Sequence, residues 1–129
     1  MFMKQEKFSL KKRLKSFKYA VNGITILFRE ELNAKIHLFV TVCVLIAGFA
    51  FRISRGEWMA VILCIGLVIA LESINSAIEN VADFVSPEKH ETIKKVKDLA
   101  AGAVLVGAIA SAIVGGIVFL PKIIVLFIR

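Results

Sequence analysis

The stretch Ala70–His90, ALESINSAIENVADFVSPEKH, holds the residues of this chain best placed to do chemistry. It continues an apolar run that begins at Met59, yet it carries Glu72, Asn75, Glu79 and Asp83. On a helix turning about 100° per residue, Asn75, Ser76, Glu79 and Asp83 all fall within roughly 60° of Glu72. They form one polar face. An ionised carboxylate near a bilayer centre costs ~2.5–3.5 kcal/mol on insertion scales, less toward the interface.

Three accounts compete for such a face. The carboxylates could pair structurally with Lys35, Lys97 or His37. They could relay protons or cations as part of a small transporter. Or they could form a catalytic site where a lipid-phase group meets a water-phase one, one carboxylate accepting a hydroxyl proton and others holding Mg²⁺ beside substrate phosphates. Depth favours the last. With Trp58 marking one interface, Glu72 lies roughly 21 Å along the helix, Glu79 is about 10 Å nearer the opposite surface, and Asp83 reaches water.

The elements that must position these groups are apolar spans. The 129 residues suit one domain, but 58% are apolar and the mean hydropathy is +0.81. That is too apolar for a soluble chain. The expected architecture is an all-α integral membrane protein: an amphipathic surface helix within 1–30, then spans over 36–53, 58–85 and 92–120, the last two with extensions beyond the membrane. A hydrocarbon core of ~30 Å needs about 20 helical residues. Cys43 and Cys64 sit mid-span, outside any metal or redox spacing, and read as small buried hydrophobes.

In the first segment, Leu10, Leu14, Phe17, Val21, Ile24 and Phe28 recur every three or four residues, while Lys11, Lys15, Lys18 and Asn22 lie off that stripe. A basic amphipathic helix in the membrane interface fits this pattern; a solvent helix packed on a partner is the alternative. These residues lack the apolar core of a secretory signal. In the third span, Ala103, Gly107, Ser111 and Gly115 form one small-residue ladder, and Ala108, Ala112 and Gly116 a second. Such ladders permit close helix approach in lipid, within one chain or between copies, and a homo-oligomer is the favoured reading. Pro87 breaks the second span, with Ser86 expected to cap the next helix.

Lys and Arg crowd before the first span and between the second and third, whereas Arg52, Arg55, Lys122 and Arg129 are the basic residues of the other side. The N-terminus and the second loop are therefore expected in the cytoplasm. The net charge of +7 then reads as attraction to anionic lipid, not nucleic acid. Near the same surface lie Glu30, Glu31, Asn33, Lys35 and His37, with Lys97 and Asp98 opposite. Lysines there supply charge to a transferring phosphoryl group. No GxxxxGK[ST] or kinase Gly-rich loop is present, so any nucleotide site is built from helices.

The run Glu72-Ser-Ile-Asn75-Ser-Ala77-Ile-Glu79-Asn-Val-Ala-Asp83, followed by Lys97-Asp98 and GAVLV, resembles the prokaryotic diacylglycerol kinase family, which includes undecaprenol kinases. The resemblance covers nearly the whole chain. It implies a homotrimer with active sites shared between protomers, in the bacterial inner membrane, using Mg²⁺ and ATP to phosphorylate a membrane lipid alcohol. Carried over by position, Glu72 is the general base and Asn75 orients groups around it. Glu31 and Glu79 hold the metal on the ATP phosphates, and Lys97 and Asp98 bind nucleotide. Tyr19, Glu88 and His90 are weaker nucleotide contacts, and Asp83 lines the site. Lys12 stands where the best-known members carry Arg, with Arg13 beside it, and Val21 replaces their surface-helix Trp. EELNAKIH and KDLAAGAVLV look more like the undecaprenol kinase branch. The rival classes are a small oligomeric proton-coupled transporter, which moves substrate without ATP, and a non-catalytic scaffold.

Overall fold

The structure, a computed structural model, describes residues 7–128 and is all-helical over the regular elements: α1 Leu10–Glu30, α2 Leu32–Ala50, α3 Arg55–Val85 and α4 Glu91–Ile128. The part of the surface-helix segment before residue 7 lies outside the described residues. The helices α2, α3 and α4 are each long and apolar enough to cross a membrane. At about 1.5 Å per residue α3 rises roughly 45 Å and α4 roughly 57 Å, longer than a ~30 Å hydrocarbon core. Most of their side chains face outward, for only 11–17% of each apolar window is buried. Lipid or further protein must cover that surface.

Ser9 starts α1, its hydroxyl accepting from the Lys12 N–H. The helix stops at Glu31, whose extended backbone (φ −99°, ψ 117°) ends α1 and opens α2 at once. The Glu31 N–H donates back to the Leu27 carbonyl, and the Glu31 carbonyl accepts from the Lys35 N–H. One residue thus turns the chain. Leu27 and Ala34 are buried on either side of it. The stripe expected on α1 is largely uncovered: Leu10, Leu14, Phe17, Val21 and Ile24 are exposed, and Phe28 is half-buried.

The α2–α3 turn is a Schellman motif. The Arg52 N–H donates to the Phe49 carbonyl and the Ile53 N–H to the Gly48 carbonyl, which requires a left-handed residue at Arg52 (φ 51°). Ile53 then packs with Val61 and Val118 in a small apolar cluster. Ser54 and Glu57 form a reciprocal capping box that starts α3.

α3 is the axis of the chain, packed against α1, α2 and α4. Gly107 of the first small-residue ladder meets it closely: a Cβ there would lie 2.5 Å from Leu71 Cδ1. The Ser111 hydroxyl donates to the Cys64 carbonyl at 3.5 Å. Ala108 and Ala112 instead line an apolar cavity of about 340 Å³ between α2, α3 and α4.

Three boundaries differ from the sequence reading. The helix that carries the first apolar block is Leu32–Ala50, against a span expected over 36–53, because the backbone turn falls at Glu31 and the Schellman motif ends the helix at Phe51. Ser86 closes α3 rather than capping α4: its N–H donates to the Ala82 carbonyl, and its hydroxyl to the Glu88 carbonyl at 2.9 Å. His90 opens α4, with Nδ1 accepting from the Thr92 N–H at 3.1 Å and its carbonyl from the Lys94 N–H. Finally, α4 runs through Pro121 to Ile128 instead of ending near 120. Proline removes one backbone donor. Just beyond it, Lys122 forms an ion pair with Glu57 at 3.1 Å, which holds this part of α4 to the start of α3.

Candidate active site

Because α3 is unbroken from Arg55 to Val85, its polar residues stay in line. Glu72 is the buried charged residue of that line, 4% exposed. Its Oε1 lies 3.3 Å from Nε2 of His37 on α2. One turn on, Asn75 keeps its Oδ1 buried without a hydrogen-bond partner. An orphaned buried acceptor is costly, of order 1–3 kcal/mol, and points into a place where a donor is needed. Ser76 donates its hydroxyl to Glu31 Oε1 at 2.9 Å. Glu79 is half-buried, and no hydrogen bond or ion pair among the described residues engages it. Asp83 ends the line in an ion pair with Lys97 of α4.

The fold therefore brings Glu31, Glu72, Asn75, Glu79, Asp83 and Lys97 to one side of α3, although they come from three regions of sequence. It does not bring the rest there. Asp98 pairs within its own helix, accepting from Lys94 Nζ at 2.6 Å, and lines an open hollow walled by α4 residues such as Leu99 and Gly102. Lys12 and Tyr19 are on the exposed surface of α1. Glu88 is exposed in the α3–α4 loop, and His90 is engaged as the cap of α4.

Two contributors carry no local signal in the sequence. His37 stands in sequence as one of three partners open to the carboxylates, with Lys35 and Lys97, and nothing at short range aims its ring at Glu72 in particular. Ser76 lies on the polar face by periodicity, but its bond to Glu31 spans 45 positions. Both arise from the turn at residues 51–54, which lays α2 back along α3 and brings His37 and the Glu31 turn to its polar face.

Among the described residues, no three His, Cys, Asp or Glu side chains cluster as a metal site. The donor set still fits Mg²⁺, which is commonly held by one or two carboxylates, with waters and substrate phosphates completing its shell. Ser76 holds Glu31 against α3 one turn from the uncommitted Glu79, so two hard oxygen donors approach the same side without needing a third.

Comparison with known proteins gives this geometry a family. Residues 18–119 match prokaryotic diacylglycerol kinase. The undecaprenol kinase of Bacillus subtilis is 41% identical over 122 residues, which is 95% of this chain and 99% of that protein. A diacylglycerol kinase of Synechocystis sp. is 40% identical over 89% of this chain and 66% of its own length. One of Helicobacter pylori is 33% identical over 82% of this chain and 83% of its own. The chain belongs to the prokaryotic diacylglycerol kinase family, and is an enzyme of the lipid kinase class. The transporter alternative finds no support among these relatives.

Proposed function

We propose that this enzyme transfers the γ-phosphate of ATP, with Mg²⁺, to the hydroxyl of a membrane lipid alcohol, and that undecaprenol is that alcohol. The observation that carries the reading is the buried Glu72 carboxylate on the same face as the bonded Glu31 and the uncommitted Glu79. A proton acceptor at lipid depth and a pair of oxygen donors nearer the helix end are what the reaction requires. The full-length match to an undecaprenol kinase supports the choice of lipid.

Glu72 accepts the proton of the lipid hydroxyl as its oxygen attacks the γ-phosphorus in line. The bond from that phosphorus to the bridging oxygen breaks, and ADP leaves. The Asn75 carbonyl oxygen, lacking a partner, accepts a hydrogen bond from a substrate donor and orients it. Glu31 and Glu79 would hold the metal, which when bound supplies charge to offset that on the phosphates. Lys97 adds a positive charge at the Asp83 end.

Asp98 paired within its own helix is accounted for by a homotrimer in which a neighbouring protomer completes the nucleotide site. Lys12, Tyr19, Glu88 and His90 take their nucleotide roles at the same junction. The exposed apolar stripe of α1 with its lysines suits the membrane interface. The Lys and Arg distribution supports a cytoplasmic N-terminus and α3–α4 loop in the bacterial inner membrane, on the side where ATP is.

The test is transfer from labelled ATP in mixed micelles containing Mg²⁺, with undecaprenol and diacylglycerol offered in parallel. Label is expected chiefly in undecaprenyl phosphate. Preferred labelling of diacylglycerol would overturn the lipid assignment, and no label in either lipid from an intact oligomer would overturn the kinase reading.

A further inference from the structure

A carboxylate as buried as Glu72 needs a hydrogen-bond donor to aim it. Backbone groups do not serve, since those of α3 are bonded within the helix. The structure offers one side chain. His37 projects from α2 with Nε2 at 3.3 Å from Glu72 Oε1, just beyond the usual 2.7–3.2 Å of an N–H···O bond. Catalytic hydrogen bonds are often long before substrate arrives and tighten with it. No other hydrogen bond or ion pair among the described residues holds Glu72.

His37 is itself set in place. Its side chain is 26% exposed, and it lines the end of the apolar cavity beside Ile36, Val40 and Thr41. The Thr41 hydroxyl donates to the His37 carbonyl at 2.7 Å. The tautomer that can serve Glu72 is the one protonated on Nε2.

We propose that His37 is a positioning residue for Glu72: its Nε2–H donates to Oε1, which leaves Oε2 to receive the proton of the lipid hydroxyl. This rests on the reading of Glu72 as the base. The reach from α2 fixes the carboxylate rotamer, and a bond donated to a carboxylate is among the stronger ones a side chain makes.

The experiment compares purified wild type with His37→Leu, His37→Gln and Glu72→Gln, measuring kcat, KM for lipid and KM for ATP, with gel filtration to check assembly. Glutamine retains an N–H at nearly the reach of Nε2 but cannot become a cation. A hydrogen bond to a charged group corresponds to roughly 10- to 100-fold. His37→Leu is therefore expected to lose about that much kcat with both KM values little changed, and His37→Gln to recover most of it. Wild-type kcat in His37→Leu, with Glu72→Gln inactive, would overturn the positioning role and leave the base intact. Equal losses in the Leu and Gln variants would also overturn it. Activity in Glu72→Gln would remove the base and this inference with it. If His37→Leu fails to assemble, the ¹⁵N shifts of the imidazole decide, with His90 the only other histidine. They should report Nε2–H in the wild type and a change in Glu72→Gln; Nδ1–H at His37 would contradict the proposal.

Discussion

The Ser76 hydroxyl donates to Glu31 Oε1 at 2.9 Å, across 45 positions of sequence. This bond fastens the turn between α1 and α2 to the polar face of α3. It places one carboxylate near a second, Glu79, which no hydrogen bond or ion pair among the described residues engages. Ser76→Ala should release Glu31 at a cost of about 1 kcal/mol, the ordinary worth of such a bond. The Mg²⁺ concentration for half-maximal rate should rise by roughly fivefold, with kcat at saturating Mg²⁺ close to wild type. A Mg²⁺ titration of the two proteins checks this, and superimposable curves would show that the bond does not serve the metal.

Glu79→Gln tests the other half of the pair. Removing an anionic ligand should raise the Mg²⁺ requirement more than Ser76→Ala does, about tenfold or beyond for the loss of one charged contact. The oligomer should remain assembled, because Glu79 holds nothing in the fold. An unchanged Mg²⁺ titration would contradict its role.

The α2–α3 turn makes a prediction about stability alone. Arg52 adopts φ 51°, a conformation that costs a residue with a Cβ about 1 kcal/mol or more and glycine almost nothing. Arg52→Gly should raise the thermal midpoint in detergent by a few degrees, and Arg52→Val should lower it. A fall in the glycine variant would mean the Arg52 side chain contributes more than its backbone costs.

Gly48 is there for space. A Cβ would lie 2.5 Å from Cη2 and 2.8 Å from Cζ2 of Trp58, whose ring leans on Phe49 with centroids 4.9 Å apart. Gly48→Ala should destabilise by roughly 1–3 kcal/mol, the usual cost of overpacking. The double variant Gly48→Ala with Trp58→Leu should recover part of that loss. Thermal unfolding of the single and double variants measures both.

Much of this was legible in the sequence, for identifiable reasons. The polar face of α3 follows from a 3.6-residue repeat inside one uninterrupted helix, so Glu72, Asn75, Ser76, Glu79 and Asp83 could be aligned without knowing any partner. Gly107 likewise announced a close contact, and Leu71 of α3 makes it. What escaped depends on partners or on local competition. Pro121 stops most helices, but α4 continues past it, and the Lys122–Glu57 pair lies just beyond. His90 takes the capping duty expected of Ser86, because the loop between them uses the Ser86 hydroxyl on the Glu88 carbonyl. His37 and Lys97 could be named as partners for the carboxylates, but which carboxylate each meets depends on how α2 and α4 lie against α3, which periodicity does not encode.

In the proposed reaction the buried carboxylate of Glu72 takes the proton of the lipid hydroxyl. The most direct test of that step is the turnover of Glu72→Gln, a nearly isosteric change that removes the base and keeps the volume. With saturating ATP, Mg²⁺ and undecaprenol, the purified variant should elute as the wild type does and lose at least about 100-fold in kcat, the lower range for general-base catalysis. A correctly assembled Glu72→Gln protein that turns over at the wild-type rate would contradict the account.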